Sequence, residues 1–131
     1  MNAVDALPPP WRVLLIDDSR DDAELAEFAL RKGGLAADCR RAFHAEGVRE
    51  ALLGFAPHVV VSDLNLPGFS GIEALALVRA HDPALPFVFL TGGLVPGEAP
   101  PDADGLLLKD ELDALPQLLQ TLLPGHATTQ A

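Results

Sequence analysis

Short apolar runs alternate with longer amphipathic stretches along most of the chain. Four runs are compact and rich in Val, Leu, Ile and Phe, and they predict strands over 11–16, 58–63, 86–91 and 105–109. Apolar runs of this length without polar alternation are typical of parallel strands buried on both faces. A weaker strand is predicted over 35–43, and its charged residues favour an edge position.

Helices are predicted between these runs, over about 20–32, 46–55 and 72–81, with a last helix from about residue 113. Ser19 is placed as the N-cap of the first helix because an acid, Asp22, follows three positions later. The predicted buried stripes are Leu25, Phe28, Ala29 and Lys32 in the first helix, and Ile72, Leu75, Ala76 and Arg79 in the third. The repeated βαβ pattern predicts an α/β fold with a parallel sheet and helices on both faces.

The crossover between the strands predicted at 86–91 and 105–109 departs from this βαβ pattern. Residues 92–104 contain three glycines and three prolines, a composition that disfavours a regular helix. We therefore expect a loop where the fourth crossover helix would lie. At the ends of the chain, 1–10 are expected to form a flexible leader and 124–131 a flexible tail, around a single domain at 11–123.

Composition narrows the classes of function. The net charge is −10 and no basic cluster occurs, which argues against nucleic-acid binding by phosphate neutralisation. Cys39 is the single cysteine, so neither a disulfide within the chain nor a thiolate-pair metal site is expected. No run is long enough to cross a membrane, so a cytoplasmic protein without membrane contact is expected.

Charged and hydroxyl side chains close four of the predicted strands. Asp17 and Asp18 follow the first, Asp63 ends the third, Thr91 ends the fourth and Lys109 ends the fifth. In an open α/β sheet, binding sites lie just outside the carboxyl ends of the strands, so these five side chains are expected to meet there.

This set of side chains suits the transfer of a phosphoryl group to a carboxylate. Asp63 is the candidate nucleophile, which would carry the group as an acyl phosphate. Lys109 would pair with the phosphoryl oxygens as a point charge, and Thr91 would donate its hydroxyl to them.

The same set suits a divalent metal. Mg²⁺ prefers oxygen ligands and retains several waters, so a few protein ligands are enough. The predicted ligands are Asp18, Asp63 and the backbone carbonyl of Asn65, with Asp17 holding a metal-bound water. Each residue alone also has an ordinary structural explanation; acids beside a helix N-terminus, for example, are favoured by the helix dipole.

Four motifs together resemble the receiver domain of two-component response regulators. They lie at 15–19 (Leu-Ile-Asp-Asp-Ser), 62–71 (Ser-Asp-Leu-Asn-Leu-Pro-Gly-Phe-Ser-Gly), 89–92 (Phe-Leu-Thr-Gly) and 108–109 (Leu-Lys), and the likeness covers about 12–123. The resemblance implies a flavodoxin-like sheet of order 2-1-3-4-5, and Mg²⁺ near Asp17, Asp18 and Asp63. It also implies that a sensor histidine kinase or histidine phosphotransfer protein phosphorylates Asp63, and that Thr91 and Lys109 sense the phosphate.

The chain departs from the usual receiver pattern. Leu106 stands where receivers usually carry a switching aromatic residue, Asp110 replaces the usual proline, and the fourth helix is expected to be missing. Residues 86–92 are similar to the Pro-Phe-x-Phe-x-Thr-Gly signature of a stand-alone receiver subgroup that lacks a regular fourth helix.

These observations lead to one main interpretation and two alternatives. The main interpretation is a single-domain response regulator that is not an enzyme in the ordinary sense and that signals through an unknown partner protein or acts as a phosphate relay or sink. The first alternative is a receiver-like protein-binding module that works without phosphorylation. The second is a small magnesium-dependent phosphatase, although such enzymes usually carry Asp-x-Asp where this chain has adjacent acids.

Overall fold

The computed structural model describes residues 10–66, 68–93 and 102–123. The strands are β1 (Trp11–Ile16), β2 (Ala37–Ala42), β3 (Val59–Asp63), β4 (Phe87–Thr91) and β5 (Gly105–Leu108). The helices are α1 (Arg20–Lys32), α2 (Ala45–Gly54), α3 (Gly71–His81) and α4 (Leu115–Leu122), and a 3₁₀ helix (Lys109–Ala114) joins β5 to α4. The predicted tail and all of the predicted leader except Pro10 lie outside the described residues.

The five strands form one parallel sheet of order β2-β1-β3-β4-β5, which confirms the predicted fold and the edge position of β2. Neighbouring strands end nearly level with one another. Ile16 pairs with Ser62 and Asp63 pairs with Leu90. Thr91 pairs with Leu108, so the residues that end these strands lie side by side along one edge.

Alternate residues of each strand enter two separate cores, as the two-residue period of a strand requires. The core under α2 and α3 takes Leu14, Ile16, Val60, Phe87 and Phe89 from the sheet. The core under α1 and α4 takes Val13, Leu15, Val59, Val61, Val88 and Leu90. None of the helices in the described part of the chain is both long enough and apolar enough to cross a membrane.

The stripe predicted for α1 is wrong at its two largest residues. Leu25 is 55% exposed and Phe28 is 63% exposed. The helix instead buries the small residues Ala23, Ala26 and Ala29, followed by Leu30. Both stripes have helical spacing, but the alanine stripe lets the helix axis approach the sheet closely, because small side chains shorten the packing distance.

The stripe predicted for α3 is also misplaced. Ile72 is 58% exposed, whereas Ala74 and Val78 are fully buried. The start of α3 is set by a capping box in which Ser70 and Glu73 each accept the other's backbone N–H.

The predicted helix-free crossover lies mostly outside the described residues, since 94–101 are not described. Its two ends are anchored by hydrogen bonds. At the start, the Thr91 hydroxyl donates to the Gly93 carbonyl at 3.0 Å. At the end, the Asp104 carboxylate accepts the Phe87 backbone N–H at 2.8 Å and an Arg79 guanidinium N–H at 3.1 Å.

His58 is a structural residue that joins the beginnings of β1 and β3. Its Nδ1 accepts the backbone N–H of Arg12 at 2.8 Å, and its ring packs edge-on against Trp11 at 5.0 Å between centroids. Burial, reinforced by the positive charge of Arg12, lowers the pKa of His58. A protonated Nδ1 would be a donor and would lose the bond to Arg12.

This geometry predicts that the stability of the protein falls in mild acid because of His58. As the pH falls below about 6.5, His58 takes up a proton in the unfolded chain more readily than in the folded protein, so the free energy of unfolding decreases. The decrease ends once the pH lies below the lowered pKa of His58 in the folded state. The His58→Asn variant keeps an acceptor near Nδ1 but cannot titrate. Urea denaturation at pH 7.5 and pH 5 is expected to show a smaller loss of unfolding free energy in His58→Asn than in the wild type.

The matched control is His81→Asn, because His81 lies exposed on α3. It is expected to keep the pH dependence of the wild type. Equal pH dependence in the wild type and His58→Asn would contradict the assigned role.

Candidate functional site

The residues predicted to form the site meet at the carboxyl edge of the sheet. Asp17 and Asp18 follow β1, Asp63 and Thr91 end β3 and β4, and Lys109 begins the 3₁₀ helix directly after β5. The nearly level strand ends place these side chains along the same edge of the sheet.

Three carboxylates form the acidic part of the site. Asp17, Asp18 and Asp63 offer one oxygen each within 4.8 Å of one another. Asp17 and Asp63 are buried, and Asp18 is exposed. Two carboxylates about 4 Å apart repel by about 4 kcal/mol at an effective dielectric constant of about 20. Positive charge close to the cluster would relieve this repulsion, and the hard oxygen donors, with Asp18 open to solvent, fit Mg²⁺.

The side chain of Lys109 supplies positive charge to this cluster. Its ammonium group lies 3.0 Å from Asp63 Oδ2, 3.2 Å from Asp17 Oδ2 and 2.5 Å from Asp22 Oδ2. All three N–H donors of the ammonium group therefore have a carboxylate partner.

Burial and charge act in opposite directions on the ionisable groups of the site. Burial lowers the pKa of Lys109, but the hydrogen bonds that its ammonium group donates to Asp22 and Asp63, together with the charge of Asp17, outweigh burial. The pKa of Lys109 is therefore raised and the ammonium form is stabilised. Burial raises the pKa of Asp17, although the Ser19 backbone N–H and Lys109 both favour its charged form. The effect of burial on this carboxylate is thus only partly offset by its neighbours.

Asn65 and Thr91 are placed next to this cluster. The backbone N–H of Asn65 donates to Asp63 Oδ1 at 3.0 Å, and the Asn65 side-chain amide donates to Thr91 Oγ1 at 3.4 Å. Thr91 is fully buried. Lys109 thus contacts Asp63 directly, whereas Thr91 is connected to Asp63 through Asn65.

Gly71 keeps the loop after β3 close to the site. A Cβ at this position would lie 2.5 Å from the Asp63 carbonyl oxygen and 2.8 Å from Leu64 Cα. Its backbone N–H also donates to the Leu64 carbonyl at 3.1 Å. A larger residue would push α3 away from the end of β3. Pro67, in the middle of this loop, lies outside the described residues.

Asp22 is the residue of the site that the sequence prediction missed as a partner of Lys109. Its position three residues after Ser19 indicated a helix cap, and the Ser19 hydroxyl does accept the Asp22 backbone N–H at 3.2 Å. The side chain of Asp22, however, extends to Lys109, 87 residues away in sequence. Helix-start spacing alone carries no signal for this contact.

Comparison with known proteins agrees with this arrangement. A family model described as the response regulator receiver domain matches residues 13–99, about two thirds of the chain. The probable transcriptional regulatory protein TcrX of Mycobacterium tuberculosis is 36% identical over 86 residues, which are 63% of this chain and 34% of that protein. The transcriptional regulatory protein TctD of Salmonella typhimurium is 34% identical over 80 residues, which are 61% of this chain and 35% of that protein.

These relatives are much longer than the matched region. The chain matches only 16% of the length of the DNA-binding transcriptional regulator NtrC of Proteus hauseri, with 30% identity over 79 residues.

Solved structures show the same fold. A putative response regulator from Chloroflexus aurantiacus superimposes with a TM-score of 0.67 at 25% identity, covering 86% of this chain and 97% of that one. The signal receiver domain of the putative response regulator NarL from Mycobacterium tuberculosis superimposes with a TM-score of 0.66 at 23% identity, covering 88% and 98%. With the family match over most of the sheet and the acidic site at its carboxyl edge, the chain belongs to the response regulator receiver domain family.

Proposed function

We propose that this receiver domain accepts a phosphoryl group on Asp63 from a sensor histidine kinase or a histidine phosphotransfer protein. The observation that carries the proposal is the contact between Lys109 and Asp63 inside a cluster of three carboxylates. A carboxylate is nucleophilic enough to attack phosphorus when positive charge neutralises the transferring oxygens. Lys109 provides part of that charge.

In the proposed reaction, a carboxylate oxygen of Asp63 attacks the phosphorus of the donor. The bond from phosphorus to the donor nitrogen or oxygen breaks, and the donor leaves with that electron pair. Lys109 and the Thr91 hydroxyl then bind phosphoryl oxygens. Asp18, Asp63 and the Asn65 carbonyl are the proposed ligands for Mg²⁺, and Asp17 would hold a metal-bound water. The bound ion would neutralise charge on the phosphoryl oxygens.

The proposed partners are proteins, as the receiver family implies. The net charge of −10 supports protein rather than nucleic-acid contacts for this domain. Hydrolysis of the acyl phosphate returns the domain to its starting state, so we propose a phosphoacceptor signalling domain and not an enzyme that turns over an external substrate.

We further propose that the domain works as a single-domain regulator, acting on a partner protein or serving as a relay or sink. Support comes from the likeness of 86–92 to a stand-alone subgroup and from the Gly- and Pro-rich segment 92–104. Phe87 and Phe89 of this motif are fully buried, with ring centroids 5.0 Å apart. The residues that replace the usual switch pattern, Leu106 and Asp110, support an altered output surface.

The phosphoacceptor role predicts covalent labelling of Asp63 by a small phosphodonor. Incubation with acetyl phosphate and Mg²⁺ is expected to add one phosphoryl group, detected by intact-mass spectrometry, and Asp63→Asn is expected to abolish it. The control is Asp38→Asn, which removes an exposed acid from the edge strand β2 and is expected to label like the wild type.

The three interpretations give different results in this experiment. An unlabelled wild type would favour the phosphorylation-independent module. Steady hydrolysis of a phosphate monoester without a stable adduct would favour the phosphatase.

The charge balance of the site predicts that Lys109 stabilises the metal-free protein. Lys109→Met removes the counter-ion shared by Asp17, Asp22 and Asp63, and is expected to lower the free energy of unfolding by about 2 kcal/mol at neutral pH.

Mg²⁺ is expected to raise the melting temperature of the wild type, and to raise that of Lys109→Met by more, because the ammonium group no longer competes for the carboxylates.

The second lysine of the chain provides the control. Lys32 is exposed at the end of α1, and Lys32→Met is expected to change stability by less than about 0.5 kcal/mol. An unaltered melting temperature of the wild type in saturating Mg²⁺ would contradict the proposed metal site.

The stand-alone proposal predicts the size of the protein in cells. An antibody raised against the purified domain is expected to detect a species near 13.8 kDa in extracts of the source organism. A receiver fused to an output domain would be detected only as a much larger species. That result would contradict the stand-alone proposal and leave the phosphoacceptor role intact.

A further inference from the structure

The contact between Asp22 and Lys109 has no role in the phosphoryl transfer proposed above. Asp22 lies in the first turn of α1, where the Ser19 cap fixes its backbone. Of the three carboxylates that share the ammonium group, Asp22 approaches it most closely, at 2.5 Å.

The side chain of Asp22 is not used to cap its own helix. In the capping box of α3, Glu73 accepts the backbone N–H of the N-cap residue Ser70. In α1, the equivalent N–H of Ser19 donates instead to Asp17 Oδ1, at 2.9 Å. The carboxylate of Asp22 is therefore free to bind Lys109.

The three partners of Lys109 lie at different depths. The side chains of Asp17 and Asp63 are 8% and 10% exposed, whereas that of Asp22 is 38% exposed. Asp17 and Asp63 belong to the carboxylate cluster that could hold a metal ion, and Asp22 does not. Lys109 thus bridges two buried carboxylates, Asp17 and Asp63, which could also take part in metal binding, and one more exposed carboxylate, Asp22, which is outside the metal cluster.

The inner carboxylates cannot serve the ammonium group and a divalent cation equally well. A dication held by the carboxylate cluster would weaken the attraction of Asp17 and Asp63 for Lys109 and would repel the ammonium group. Phosphorylation further removes charge from Asp63 by placing one of its oxygens in a bond to phosphorus. Without another anchor, the flexible lysine side chain would gain rotamer freedom by moving into solvent.

We propose that Asp22 is a positioning residue that holds Lys109 at the mouth of the site while Asp17 and Asp63 are engaged by the cation and the phosphoryl group. This inference rests on the proposed function, because it concerns the lysine that would bind the phosphoryl oxygens. It predicts that loss of Asp22 leaves Lys109 in place in the metal-free protein but releases it once Mg²⁺ binds.

The position of the Lys109 side chain can be observed directly, because Lys109 and Lys32 are the only lysines of the chain. Protein labelled with ¹³C and ¹⁵N in lysine is expected to give two sets of ammonium and Cε signals in NMR spectra. Lys32 provides the solvent-exposed reference. In the wild type, the Lys109 signal is expected to stay distinct from that of Lys32 without Mg²⁺ and in saturating Mg²⁺.

In Asp22→Asn, the Lys109 signal is expected to be distinct without Mg²⁺ and to shift to the position of the exposed Lys32 in saturating Mg²⁺. Asp21→Asn is the matched control, because it removes the same charge from an exposed neighbour in the same helical turn. It is expected to behave like the wild type, and Asp22→Glu is expected to restore the distinct signal.

A Lys109 signal in Asp22→Asn that follows the wild type in Mg²⁺ would overturn the proposal. So would a wild-type Lys109 signal that itself becomes solvent-like in Mg²⁺, since Asp22 would then not retain the lysine.

The rate of phosphorylation by acetyl phosphate separates this inference from the proposed function. Asp22→Asn is expected to react about fivefold more slowly than Asp21→Asn, the scale expected for a partly exposed charge-assisted hydrogen bond. Equal rates in the two variants, with the wild type labelled on Asp63, would overturn the role of Asp22 and leave the phosphoacceptor role standing. Absence of wild-type labelling would overturn the proposed function, whereas the NMR comparison would still decide where Lys109 is held.

Discussion

One ammonium group shared among three carboxylates underlies the organisation of this protein. Asp17 and Asp63 are largely removed from water, and their repulsion is tolerable because Lys109 lies 3.2 Å and 3.0 Å from them. The interaction joins the ends of β1 and β3 to the segment after β5, so it couples distant parts of the chain. The ammonium group is held by charge-assisted hydrogen bonds to all three carboxylates, so a change in the charge of any one of them alters its environment.

The hydrogen bonds around Thr91 connect this site to the crossover that follows it. Asn65 bonds both Asp63 and Thr91, and Thr91 bonds Gly93 at the beginning of that crossover. The far end is held separately, by Asp104 on the Phe87 backbone N–H. A change at Asp63 that redirects the Thr91 hydroxyl would therefore act on one end of the segment while the other stays anchored to β4.

The sequence predicted the strands more reliably than the helix faces. A buried parallel strand is marked by a continuous apolar run, and the residue that ends the run is placed by strand register, so Asp63, Thr91 and Lys109 could be located at one edge in advance. Helix α1 carries two apolar stripes of equal spacing. The choice of the alanine stripe, which leaves Leu25 and Phe28 exposed, depends on how closely the helix approaches the sheet, a distance that no local pattern encodes.

The sequence by itself determined the succession of strands and helices along the chain, because apolar residues recur with the local periods of the backbone. It also determined which polar side chains stand at the strand ends, because they directly follow the apolar runs. Only the tertiary structure decided which carboxylates Lys109 contacts and which helix faces are covered. Asp22 illustrates the reason: its spacing from Ser19 fits a helix cap, but its carboxylate bonds a lysine 87 positions away. Such a contact depends on how α1 and the segment after β5 pack together, and not on the residues beside it in sequence.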